Sequence, residues 1–265
     1  MKKIIKICFI FFLLFGFTGS AAAISNKAIH WGFNKARNGE QADAGQEYEA
    51  VLEKYGAFYK GNPNDKTLYL TFDNGYENGY TKQILDVLKK EKVPAAFFVT
   101  GHYVRSAPDL TKRMVNEGHI VGNHSWSHPD LTQMSVPKIK QELTKVKKET
   151  ERITGQKGMQ YLRPPRGILS ERTLKVAQEA GYTHVLWSLA YKDWEVDHQK
   201  GWKYAHDQIL AQVHPGAVLL LHTVSKDNAE ALEKVIQDLK KQGYTFKSLD
   251  DFVMKEQIKN PALTM

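Results

Sequence analysis

From Thr67 onward the chain keeps a regular rhythm, in which short apolar runs alternate with longer amphipathic stretches. "TLYLTFD" reads as a strand, and Ile84, Leu85 and Leu88 then mark a helix ending near Glu91. "PAAFFVTG" is a strand, "PDLTKRMVNEG" a helix stopped by Gly118, and "HIVGNHS" a strand. Val136, Ile139, Leu143, Val146 and Ile153 recur at spacings of three, four or seven, the signature of one apolar helix face. "QYLRPP" is a short strand, and "SERTLKVAQEAG" is a helix with Ser170 in front and Gly181 behind. "THVLWSLA" is a strand, "KYAHDQILAQV" a helix and "GAVLLLHT" a strand; Leu232, Val235, Ile236 and Leu239 mark a further helix before a closing strand in "YTFKSLDDF". Unbroken apolar runs such as "AAFFV" and "AVLLL" suit strands covered on both faces, and therefore parallel pairing. Seven strands alternating with helices predict an α/β fold, either a barrel or an open doubly wound sheet. No glycine-rich phosphate loop follows a strand, which speaks against a nucleotide fold.

The first 25 residues stand apart. "MKKIIKICFIFFLLFGFTGSAAAIS" has a basic start, an apolar run and then small residues, the pattern of a secretory leader cleaved after Ala23. Its apolar run from Ile7 to Phe17 is short against the roughly 20 residues of a full span. The sole cysteine, Cys8, lies within it, so the mature chain is expected to carry neither a disulfide nor thiol chemistry. Loss of Lys2, Lys3 and Lys6 lowers the formal net charge from +8 to +5. The remaining lysines are interleaved with acids, as in "KVKKETER", which describes solvated helix surface rather than a nucleic-acid groove. The expected organisation is a signal peptide at 1–23, an N-terminal extension at 24–66, a catalytic domain at 67–255 and a tail at 256–265.

Chemistry-bearing residues gather at one end of the strands. Asp73 and Asn74 follow the first, His124 and His128 the third, Arg163 ends the fourth, Asp193 and Trp194 follow the fifth, and His222 ends the sixth. In a barrel these carboxyl ends share one face, where active sites sit. His124 and His128 in "HSWSH" would face the same way on a helical turn and suit one metal ion. With an oxygen from Asn74 or Asp73 and an open position for water, they would form a hydrolytic metal site. Singly, each residue has a plainer reading: Asp73 as a turn cap, Arg163 as a surface ion pair, His222 as a satisfied core histidine. Together on one face they point to catalysis.

The ordered motifs "TFDNG", "HSWSH", "RPPRG", "KDW" and "LLH" resemble those of the polysaccharide deacetylases, carbohydrate esterase family four, over about Lys66 to Phe252. The resemblance implies a distorted (β/α)7 barrel and metal-assisted hydrolysis of an N-acetyl group. The "TFDNGYENGY" and "RPPRG" forms are most similar to the branch that deacetylates N-acetylmuramic acid in peptidoglycan, which serves muramic δ-lactam formation in the spore cortex. N-acetylglucosamine in peptidoglycan or chitin-like glycans is the alternative substrate, and a carbohydrate-binding pseudoenzyme the alternative class. By this resemblance Asp73 is the general base, oriented by Arg163. His222 is the general acid, held by Asp193. His124, His128 and Asn74 bind a divalent cation such as Zn, Mn, Mg or Co. Arg166, Trp194 and Leu220 bind substrate, with a backbone N–H near Arg166 facing the oxyanion. Most of the family has a second aspartate where Asn74 stands, so the cation is expected to be weakly bound. The implied partner is the glycan strand of peptidoglycan, met by an exported monomer, with no nucleic acid or nucleotide.

Overall fold

The computed structural model describes residues 24–37 and 39–259. The expected leader at 1–23 lies outside the described residues, as does 260–265 of the expected tail. Ten strands occur among the described residues: β1 (Ile29–His30), β2 (Thr67–Asn74), β3 (Ala95–Val99), β4 (Ile120–Asn123), β5 (Tyr161–Leu162), β6 (Ile168–Leu169), β7 (Thr183–His184), β8 (Leu189–Ala190), β9 (Val218–His222) and β10 (Thr245–Phe246). The helices are α1 (Gln46–Lys54), α2 (Thr81–Glu91), α3 (Gly101–Ser106), α4 (Pro108–Asn116), α5 (Val136–Thr154), α6 (Glu171–Glu179), α7 (Trp202–Leu210), α8 (Lys226–Lys241) and α9 (Leu249–Lys259).

The main sheet runs β7-β5-β4-β3-β2-β9-β8, with β10 pairing the start of β2, and its neighbours are parallel. Alternation along β2 builds both its faces. Leu68, Leu70 and Phe72 join the larger core shared with the helices, while Tyr69 joins a second core with Ala96, Phe98, Tyr161, Val185 and Val218 inside the curl of the sheet. All eight β2 residues are buried, as expected of a central strand covered on both faces. Phe252 of α9 closes one end of the inner core, stacked on Phe58 at 4.0 Å. Helix boundaries follow local chemistry. Ser170 and Thr173 form a reciprocal capping box at the start of α6, and Gly181 behind it takes φ +81°, a conformation that favours glycine.

Two strands differ from expectation. The run "THVLWSLA" is not one strand but β7 and β8, which lie at opposite edges of the sheet. The chain between them crosses the open side of the curl, where Leu186 N–H donates to the Phe58 carbonyl and Ser188 N–H to that of Val218. Phe58 N–H in turn donates to the His184 carbonyl, and Gly61 N–H to that of Gly216. Residues 58–61 of the N-terminal segment thus seam the two edges together and satisfy backbone groups that an open edge would expose. The second difference is "YTFKSLDDF", where only Thr245 and Phe246 are strand. Ser248 accepts from and donates to Asp251 there, a local helix start, and α9 runs on to Lys259 across the boundary expected at 255.

Candidate active site

Asp73, His124, Arg163 and His222 sit where β2, β4, β5 and β9 end, on one rim of the curled sheet. Pairing sets their register, with Asp73 directly beside His222 across the parallel strands. Asp73 is 6% exposed. Its Oδ1 accepts from Arg163 Nη1 at 2.9 Å, and its Oδ2 lies 3.4 Å from His124 Nε2. Burial alone would raise the Asp73 carboxyl, but the positive charge facing it from His124, Arg163 and His222 prevails and holds it below the usual carboxylate range. Of these, the Arg163 guanidinium is the permanent cation. Arg163 has no exposed surface, donates to the Val185 and Leu186 carbonyls, and packs 4.2 Å over the Phe98 ring. The crossing between β7 and β8 therefore builds the socket of this arginine.

Across the site, one carboxylate grips His222 twice. Asp193 Oδ1 bonds the ring Nδ1 at 2.7 Å and Oδ2 accepts the His222 backbone N–H at 2.8 Å. Burial would lower the His222 pKa, but Asp193, helped by Asp73, outweighs it and raises it above the ordinary value. The Trp194 ring lies 5.5 Å from the imidazole with half its surface exposed.

His124 and His128 come together with ring centroids 4.8 Å apart, but not on a helical turn. Ser125 and His128 adopt φ +63° and +57°, rare for residues with side chains, and the loop between them is irregular. The strain is offset by hydrogen bonds. Asn123 Oδ1 takes Ser125 N–H, Ser125 Oγ takes His128 N–H, and the Glu142 carboxylate of α5 takes both the N–H and the hydroxyl of Ser127. Glu142 went unmarked in the sequence although it lies on the apolar stripe of α5, three residues after Ile139 and four before Val146. An acid on that stripe was the available signal.

Arg166, at φ +58° in the "RPPRG" turn, Trp194 and Leu220 join Asp73, both histidines of the loop and His222 in lining an open cavity of about 860 Å3. The turn is buttressed by the N-terminal segment. Trp31 donates its backbone N–H to the Gly167 carbonyl and its indole N–H to that of Trp187. Arg163 and Asp193 stand behind the cavity wall, as does Asn74, which is fully buried. The Asn74 amide donates to Thr223 Oγ1 at 2.8 Å, leaving Oδ1 buried without a hydrogen-bond partner.

Of the three expected metal donors, His124 and His128 line the cavity and Asn74 does not, and among the described residues no three His, Cys, Asp or Glu side chains cluster as a metal site. Burial pushes both imidazoles toward the neutral form that binds metals, His128 down to about 4. The Arg163 carbonyl lies 2.9 Å from His124 Nδ1. Accepting that N–H fixes the tautomer and leaves Nε2 as a bare lone pair facing Asp73.

The chain is similar to known proteins. The polysaccharide deacetylase family pattern matches residues 60–185. The peptidoglycan-N-acetylmuramic acid deacetylase PdaA of Bacillus subtilis is 53% identical over 263 residues, covering 99% of this chain and 100% of that one. The solved structure of B. subtilis PdaA, a family 4 carbohydrate esterase, superposes with a TM-score of 0.87 at 55% identity over 88% of this chain and 100% of its own. A peptidoglycan-N-acetylglucosamine deacetylase of Bacillus cereus is 34% identical, covering 75% of this chain and 72% of its own. The chain belongs to the polysaccharide deacetylase family. Members of that family are generally metal-dependent.

Proposed function

We propose that this protein hydrolyses the N-acetyl group of N-acetylmuramic acid residues in peptidoglycan, releasing acetate and leaving the amine. The observation that carries this is the opposition, around one cavity, of a carboxylate clamped by Arg163 and an imidazole clamped by Asp193. An amide is a poor electrophile with a poor leaving group, so its hydrolysis needs an activated water and a proton for the departing nitrogen. Asp73, kept ionised, takes the proton of the attacking water. His222, kept protonated, gives its Nε2 proton to the nitrogen as the C–N bond breaks. Arg163 holds Asp73 in place through its guanidinium, and Asp193 fixes the His222 tautomer. His124 and His128, with the Asn74 oxygen, would hold a divalent cation, which when bound polarises the acetyl carbonyl and acidifies water. Trp194 and Leu220 shape the pocket for the sugar.

Arg166 supports muramic acid over glucosamine. It is exposed at the cavity, and muramic acid carries a lactyl carboxylate that a guanidinium can grip with two hydrogen bonds. The 53% identity to PdaA supports the same choice. Export through the N-terminal leader to the cell wall, and service to muramic δ-lactam formation in the spore cortex, belong to this reading. The test is acetate release from muramic-acid strands and from N-acetylglucosamine oligomers, with and without divalent cation. We expect release from the first, with Arg166→Ala weakening it at least about tenfold, the worth of one charge-assisted contact of ~1.4 kcal/mol. Equal loss on both substrates would remove Arg166 from sugar choice, and no acetate from any glycan would make the protein a binder.

A further inference from the structure

The clamp on His222 has a third member. Asn228, in the first turn of α8 and 1% exposed, directs its amide Nδ2 at Asp193 Oδ2 at 2.5 Å and at the His222 carbonyl at 3.2 Å. The orientation of this amide is set from the other side, where the buried Tyr191 hydroxyl donates to Asn228 Oδ1. The Asn228 backbone N–H donates to Ser225 Oγ, so the residue is seated by the helix cap as well. Asp193 is 2% exposed, and among the described residues it has no lysine or arginine partner. Its charge rests on three donors alone: the His222 ring, the His222 backbone and Asn228.

We propose that Asn228, seated by Tyr191, is a positioning residue for the general acid, holding Asp193 so that one carboxylate spans both the backbone and the ring of His222. An amide suits the task in a way that a cation does not. A lysine or arginine at this place would neutralise Asp193 and cancel the charge that keeps His222 protonated. An amide satisfies the second oxygen and leaves the charge in place. Without it, Oδ2 keeps only the His222 N–H, and the carboxylate is free to turn out of line with Nδ1. The other charged groups facing His222 are Asp73 on β2, Arg163 after β5, and His124 and His128 on their loop; none of them touches Asn228. Asp227, the neighbour of Asn228, is turned to the backbone N–H groups of Lys200 and Gly201.

The proposal rests on His222 being the general acid, and the experiment separates the two. Nitrogen-15 NMR of the His222 ring in the metal-free protein reads its tautomer and pKa without turnover. In Asn228→Ala, with the fold checked by circular dichroism, the His222 pKa should fall by about half a unit or more toward the ordinary value. In turnover, kcat should fall about tenfold, the equivalent of one lost hydrogen bond to a charged group, with KM within about twofold. Tyr191→Phe, which keeps the amide but frees its orientation, should shift both in the same direction by less, and it serves if Asn228→Ala does not fold. A His222 pKa unchanged or raised in a folded variant overturns the positioning role. Unimpaired turnover of His222→Ala overturns the reading beneath it, whatever Asn228 does.

Discussion

At the scale of single residues, the site divides groups that touch substrate from groups that hold them. Asp73→Asn and His222→Ala should each lower kcat by about 10²–10⁴-fold in protein that remains folded, measured by acetate release and circular dichroism. Loss below tenfold in either would strip that residue of its role. The pH profile has a set sign. Asp73 is held below the usual carboxylate range, so activity should survive mild acid and fail only as that carboxyl, or His128 near pH 4, takes a proton. On the alkaline side, activity should fall as His222 loses its proton, above the ordinary histidine value because Asp193 raises it. Asn74 makes a separate prediction. A neutral amide oxygen binds a divalent cation less well than a carboxylate, so Asn74→Asp should tighten metal binding about tenfold or more by titration calorimetry. Tight stoichiometric metal in the parent protein would show that Asn74 is not the weak point.

Elements explain why the turn carrying Arg166 is held so firmly. The "RPPRG" turn carries left-handed residues at Arg166 and Gly167, and a Cβ on Gly167 would come within 2.8 Å of the Trp187 ring and 3.2 Å of the Trp31 Cβ. Strand β1 pairs antiparallel with β6 just after this turn, and Trp31 also packs edge-on against Tyr59 at 5.0 Å. Trp31→Ala should therefore do two things. It should lower stability by about 2–3 kcal/mol, below the ~3–5 kcal/mol of a fully buried aromatic because Trp31 is only partly buried, and raise KM on muramic-acid strands more than it lowers kcat, because the loosened turn carries Arg166 rather than the proton-transfer groups. Denaturant unfolding and steady-state kinetics check both. A kcat effect larger than the KM effect would mean that the N-terminal segment braces Arg163 and Asp73 instead. Helix and strand identities on the main chain were largely legible because they rest on local period and caps, as at Ser170 and Gly181. The bracing by β1 was not, because "AIHWGF" has no period that names its partner.

The molecule as a whole carries an acid liability built from its buried histidines. His184, on β7 at the seam, is fully buried with Nε2 unpartnered, and burial pushes it down to about 3. His119 and His214 are likewise buried and lowered. A histidine that is neutral when folded and free to protonate when unfolded contributes stability that is complete above about pH 6.5 and lost as pH falls. For His184 alone the loss should reach about 2 kcal/mol by pH 5. Melting temperature measured from pH 7.5 to 5 should fall, and His184→Asn should flatten that slope even if it lowers the whole curve. An unchanged slope would place the acid sensitivity elsewhere.

The sequence by itself singled out the residues proposed to react and determined the rim on which they stand. Asp73, His124, Arg163 and His222 end strands whose apolar runs dictate parallel pairing, and parallel strands present their carboxyl ends together. It also determined most helices, since a 3.6-residue period and a cap are properties of a dozen neighbouring residues. Tertiary structure decided what those residues are worth. "THVLWSLA" has the local pattern of one strand, yet its two halves lie at opposite edges of the curled sheet, where residues 58–61 bridge the edges and pair their backbone groups. That crossing supplies the carbonyls that hold Arg163. His124 and His128 look like a helical pair by spacing, but their loop takes left-handed turns that Asn123, Ser125 and the distant Glu142 hold in place. Asn228 looks like an ordinary residue of a helix start until the short turn from β9 into α8 brings it to Asp193 and the His222 carbonyl. Local pattern reports the conformation that a segment prefers; hydrogen bonds between residues far apart in the chain decide which conformation it keeps.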